Sequence, residues 1–255
     1  MGKITNEEAL AAVRQDGMAL EDVPPNLRTV EVCLEAVKQE GCALQYVPEN
    51  LITAEVCLEA VTQHSGALLF VPESLKTQEL CLQAVRENPT TLRCVPAKLM
   101  TPELCLEAVE KNGLALDSMP YELRTAEVCL EAVKASGEAL QYVPEKLKTH
   151  ELCLEAVKQE CYALEYVPES LRTQELCLVA IREHGTALKY VPWELRTAEF
   201  CLEAVKLNGW ALEYVPENLK TQELCIEAVK QDSFALQFVP EPLRDEARRS
   251  LKSGA

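Results

Sequence analysis

The chain is expected to be all-α, a right-handed α-solenoid, and three observations lead there. The sequence repeats itself in ten copies of 24 residues, without insertion or deletion, from Thr5 to Arg244. Each copy opens with apolar residues at helical spacing, as in ELCLEAVKQE at residues 151–160. The L-x-x-L-x-L signature of a strand-bearing leucine-rich repeat, the competing reading, is absent. The copies are residues 5–28, 29–52, 53–76, 77–100, 101–124, 125–148, 149–172, 173–196, 197–220 and 221–244, and together they form one solenoid domain over 1–255. Thr at position 1 of the copy, Glu at 3, Ala at 8, Leu at 16, Pro at 20 and Leu at 23 recur in all ten.

The first element of each copy is a helix of about three turns. Thr at position 1 is its N-cap, Glu at 3 an acid for its first turn, and Gly at 13, present in six copies, its C-terminal stop. Apolar residues at 4, 5, 6, 8 and 9 cover roughly 200° of the helical wheel, so neighbours must bury the helix from two sides. Positions 3, 7 and 10 form the wet face, where Glu at 7 meets a base at 10 across one turn. The second half is too short for a long helix. It reads as a one- to two-turn helix over positions 14–18, followed by an extended residue before Pro at 20 and a short helical or 3₁₀ turn opened by that proline.

One such unit cannot bury its own apolar surface, so stability must come from stacking. The first copy carries Glu8 and Ala9 where the others have an apolar residue and Cys, which suits a helix facing water on its outer side. Residues 245–255, DEARRSLKSGA, read as a charged capping helix and a loose tail.

Composition narrows function by exclusion. The 41 acidic against 25 basic side chains leave a formal charge of -16 and a pI near 4.7, which disfavours nucleic acid and anionic membranes, both bound through Lys and Arg. No apolar run approaches a membrane span, and MGKITNEEALAAV lacks the apolar centre of a secretory signal. The expectation is a cytoplasmic protein with reduced thiols.

ELCLEAVKQE together with ALQYVPEKLKT at residues 139–149 resembles a family of tandem helical repeats known only as a domain of unknown function. The family occurs in bacterial proteins, including secreted effectors of intracellular pathogens. The resemblance covers essentially the whole chain and implies a helical repeat fold. It supplies no catalytic motif, and for an effector it would place the protein in the host cytosol.

Twelve cysteines invite a metal or redox reading. Nine of them, Cys33, Cys57, Cys81, Cys105, Cys129, Cys153, Cys177, Cys201 and Cys225, occupy position 5. Equivalent atoms in stacked helices lie about 8–10 Å apart, too far for disulfides or a shared zinc, so the column reads as buried packing. Cys42, Cys94 and Cys161 lie off it and are the expected exposed thiols, with no histidine near them in sequence. The histidines, His64, His150 and His184, fall in no catalytic motif. No catalytic residue, cofactor or metal is therefore expected.

Recognition is expected where the copies drift. Position 18 is aromatic in seven copies (Tyr46, Phe70, Tyr142, Tyr166, Tyr190, Tyr214 and Phe238), as packing between repeats or as the lining of a groove. Position 14 varies most, and position 21 is usually Glu but becomes Tyr121 and Trp193. Selection by a partner and absence of constraint both produce such drift. Exposed aromatics favour binding, which singles out Tyr162, Trp193 and Trp210. In repeats 4 and 5, Pro89, Thr91, Cys94, Pro102 and Ser118 depart from the pattern beside Arg93 and Tyr121, as a change of superhelical curvature or as a partner site. The expected function is a non-enzymatic, acidic scaffold, monomeric rather than oligomeric, holding a protein or peptide partner, a basic one for preference. The alternative is a structural protein, natural or engineered, that stacks end to end or closes into a ring.

Overall fold

The computed structural model describes residues 4–252, and among them there is no strand. Three elements recur at each 24-residue step: a ten-residue α-helix at positions 2–11, a six-residue 3₁₀ helix at 13–18 and a three-residue 3₁₀ turn at 21–23. The chain divides into two compact units, Met1–Val128 and Cys129–Ala255. The first holds α1 (Asn6–Gln15), α2 (Val30–Gln39), α3 (Ala54–Gln63), α4 (Gln78–Glu87) and α5 (Pro102–Lys111). The division falls inside α6 (Ala126–Ala135). The second holds α7 (His150–Gln159), α8 (Gln174–Glu183), α9 (Ala198–Leu207), α10 (Gln222–Gln231) and α11 (Arg244–Lys252).

Each helix starts where its threonine stops the backbone from being helical. Thr149 is extended (φ -83°, ψ 163°) and its hydroxyl accepts the Leu152 N–H at 3.2 Å; Thr29, Thr173 and Thr221 repeat the arrangement. Glu at position 3 belongs to the same cap. In Glu103 and Glu151, bonds from the residue's own N–H and then from the Thr hydroxyl hold the carboxyl below its ordinary pKa. In the first copy Glu8 completes a capping box, accepting the Thr5 N–H at 2.7 Å. Glu8 is exposed as expected of a cap, whereas Ala9 beside it is fully buried.

The glycine at 13 does not act as a left-handed helix stop, because no described residue has a positive φ. The helix ends instead at position 12, which is extended (φ -143°, ψ 108° at Glu40) and whose N–H still bonds Ala36 O. That residue also caps the next segment: the side chains of Asp16, Asn88, Asn112, Asn208 and Asp232 each accept the N–H two residues on. The short helix expected over 14–18 is a 3₁₀ helix over 13–18. Pro at 20 caps the last turn rather than entering it, and the Val before it is extended as expected (Val47 φ -72°, ψ 129°).

Within each unit, neighbouring α-helices pack side by side, the six-residue 3₁₀ helices pack on one another, and each helix also packs on the 3₁₀ helix of the preceding copy. Two layers result, with the core between them from positions 4, 5, 8 and 9 of the helix and 15, 16 and 19 of the other layer, as in Val32, Cys33, Ala36, Val37, Ala43, Leu44 and Val47. Leu at position 6 lies at the margin, and Leu58 is 51% exposed, so the buried stripe is narrower than expected. The wet face carries the expected turn-to-turn pair Glu131–Lys134 (2.8 Å), but arginines at position 10 reach across to the next copy instead: Arg14–Glu35 (3.0 Å), Arg86–Glu107 (2.7 Å) and Arg182–Glu203 (2.8 Å).

Repeats 4 and 5 keep the element lengths of the others. Pro89 and Pro102 occupy first helical positions, which need no N–H donor, and the buried Thr91 hydroxyl donates to Asn88 O at 2.7 Å. At the other end α11 packs against α10, burying Ala247. The tail expected beyond it lies outside the described residues.

Candidate partner-binding face

The 3₁₀ layer builds the candidate face. Its segment buries positions 13, 15 and 16, so 14, 17 and 18 turn outward, 18 half-buried and the other two mostly exposed. A recurring clamp that the sequence reading missed sets the spacing of this face. The base at position 24 folds back over its own copy and into the next: Arg172 donates to Val167 O (2.9 Å), Glu165 O (3.0 Å) and Tyr190 O (3.1 Å). Arg28 and Arg196 do the same; Lys76 reaches the next copy's carbonyl at Cys94 (2.8 Å), and Lys148 reaches that at Tyr166 (3.0 Å) as well as Glu145 Oε1 in its own copy (2.8 Å). Burial draws the Arg196 pKa down. The available signal was the basic residue at position 24 in eight copies, interrupted by Ile52 and Met100.

The singled-out residues divide between the units. In the first, Arg93 is exposed at position 17 and lines an open cleft of about 340 Å³ with His64, Leu69, Asn88, Thr90 and Cys94. Tyr121, 55% exposed, begins the turn Tyr121–Leu123.

In the second unit Tyr162 (46% exposed) and Trp210 (39%) stand on the 3₁₀ face. Each packs edge-on against the position-18 ring of the following copy: Tyr162 on Tyr190 (6.4 Å between centroids) and Trp210 on Phe238 (5.6 Å). Trp210 Nε1 also donates to Asp232 Oδ2 at 2.7 Å. The aromatic column is therefore both packing and surface. Trp193 (62%) lies on a three-residue turn instead, with the Arg196 guanidinium 5.5 Å from its ring. Lys189 completes the face, its ammonium 4.3 Å from the Tyr190 centroid and 5.5 Å from that of Tyr162. Burial and then Glu165 raise the Tyr166 pKa, and burial and then Glu213 raise that of Tyr214.

The cysteine column is buried, as expected of packing groups. Burial pushes Cys33, Cys105, Cys153, Cys177 and Cys201 up to about 11, which keeps them neutral thiols. Cys42, Cys94 and Cys161 are half-buried. One pairing was invisible in sequence: Cys42 Sγ lies 3.5 Å from His64 Nδ1, 22 residues on. That nitrogen already accepts the Gly66 N–H at 3.1 Å, and burial and then Glu40 raise the Cys42 pKa, so the pair does not favour a thiolate. No group of three or more metal-ligating side chains converges among the described residues.

This architecture defines a tandem helical repeat protein. The family model described as a domain of unknown function, DUF4116, matches residues 7–52, 54–100, 101–148, 149–196 and 198–244, each match covering two successive 24-residue steps, and the chain belongs to that family. No curated protein matches it.

Proposed function

We propose that the protein is a non-enzymatic scaffold of ten 24-residue units, each compact half a run of right-handed α-solenoid, holding a protein or peptide partner along the 3₁₀ face. The observation that carries this is the division of labour within one short segment. Alanine and leucine at positions 15 and 16 are packed inward in copy after copy, while 14 drifts through Glu138, Tyr162, Thr186, Trp210 and Phe234 and leaves large rings in solvent. Tyr and Trp so placed supply contact area at low cost in side-chain entropy. The net charge of -16 favours a basic partner over nucleic acid or anionic lipid, and no helix among the described residues is long and apolar enough to cross a membrane. Buried cysteines held as neutral thiols suit a reducing, cytoplasmic compartment. The charged α11 covering α10 favours a monomer over end-to-end assembly.

Affinity capture from the source organism's lysate tests the reading, comparing the wild type with Tyr162→Ala/Trp210→Ala and with the helix-face pair Glu175→Gln/Glu199→Gln. A partner should be lost only with the first pair. Retention by that pair, or loss with the second, overturns the assignment of the face. A scattering mass that rises with concentration would favour the assembly reading instead.

A further inference from the structure

Position 14 of one copy touches position 12 of the next. Trp210 meets Asp232 there at 2.7 Å and Cys42 meets His64 at 3.5 Å. In both cases a potential donor faces an acceptor. Between repeats 6 and 7 the same register places Glu138 and Glu160 on the wall of one cleft of about 220 Å³, completed by Tyr162, Ala163 and Tyr166. Ser136 Oγ reaches Glu160 Oε1 at 3.3 Å, which leaves the negative charge in place. Two carboxylates on one cleft wall make it a favourable place for a cation.

One copy further on, the chain supplies that cation itself. Lys189, at position 17 of repeat 8, lays its ammonium on Tyr190 of its own copy and Tyr162 of the preceding one. The matching residue of repeat 7 is Glu165, whose carboxylate helps to raise the Tyr190 pKa after burial. At the register where repeat 8 carries an ammonium, repeat 7 therefore has a half-buried tyrosine ring, with Glu138 and Glu160 on the same cleft and Glu165 next to it in the chain.

We propose that this cleft receives a lysine or arginine side chain from a basic, extended segment of the partner protein, its charged head between Glu138 and Glu160 and against the Tyr166 ring. Ring quadrupole and carboxylates then act on the same cation, and the stem lies along Tyr162. The proposal rests on the 3₁₀-face reading above and specifies its ligand.

The probe is a fluorescein-labelled peptide with lysine at every third residue between glycine and serine, read by fluorescence anisotropy against a control with norleucine for lysine. Wild type should bind the lysine peptide in a salt-sensitive manner and ignore the control. Tyr166→Ala and Glu138→Gln/Glu160→Gln should each weaken binding by about tenfold. Glu165→Lys, which supplies an internal ammonium as Lys189 does one copy on, should abolish it. The charge-matched pair Glu175→Gln/Glu199→Gln on the helix face should leave it within about twofold, as expected for distant charges. Circular dichroism melts keep loss of binding distinct from loss of fold. No binding by wild type, undiminished binding by Glu165→Lys, or equal loss in the helix-face pair overturns the proposal. Capture of a partner through the 3₁₀ face that survives Glu165→Lys would overturn it too, while leaving the scaffold reading intact.

Discussion

Gly41 lies against the carbonyl oxygen of Ala60, so close that a Cβ on residue 41 would fall well inside contact distance of it, with the backbone nitrogen of His64 only 3.0 Å away. The same approach joins Gly17 to Ala36, Gly137 to Ala156, Gly185 to Ala204 and Gly209 to Ala228. The glycine at 13 thus has its cause in the next copy: without a Cβ, the 3₁₀ layer of one copy settles on the backbone carbonyl at position 8 of the following helix.

Gly41→Ala should therefore destabilise the protein by about 1–3 kcal/mol, since backbone, not a movable side chain, stands in the way. Gly66→Ala is the contrasting case. Its Cβ would meet the His64 ring, at 2.7 Å from Cε1, and a ring can rotate aside, so the change should cost less. Denaturant midpoints of the two variants decide the point, and equal losses would refute the contact as the reason for glycine at 13.

The clamp gives a prediction of either sign. Arg172→Ala removes three carbonyl bonds and should cost about 1–3 kcal/mol, whereas Ile52→Arg places a guanidinium where the bases of neighbouring copies already reach and should add about 0.5–1.5 kcal/mol. Urea unfolding measures both.

The buried thiols set an alkaline limit. Their folded pKa values stand above the ordinary 9.0, so the folded state holds its protons longer than the unfolded state does. Stability from this source is complete below pH 9 and falls as pH rises through about 11. Melting temperatures recorded across that window should decline, less steeply in Cys153→Ala/Cys177→Ala than in wild type. In the native state at neutral pH, a thiol reagent should label Cys42, Cys94 and Cys161 before any residue of the column.

The period, the Thr caps, the extended residue before Pro and the buried cysteines were all legible in the sequence, because each follows from local backbone rules or from spacing alone. What escaped depends on contacts 18 to 22 residues apart. Gly at 13 reads as a helix stop until Ala60 is seen beside Gly41; the base at 24 reads as surface until Arg172 is seen on Tyr190 O; and Cys42 lacks a histidine until His64 arrives from the next copy. The face itself was half legible. The exposure of Tyr162 and Trp210 was legible from drift and aromaticity, but the shared cleft of Glu138 and Glu160 required knowing that positions 14 and 12 of successive copies meet.

The most direct measurement places a photo-crosslinking residue in turn at Tyr162 and Trp210 on the 3₁₀ face and at Glu175 and Glu199 on the helix face, then irradiates each protein in source lysate. A partner held along the 3₁₀ layer gives one discrete adduct from the first two positions and none from the others. Equal adducts from both faces, or adducts from the helix face alone, would contradict the assignment.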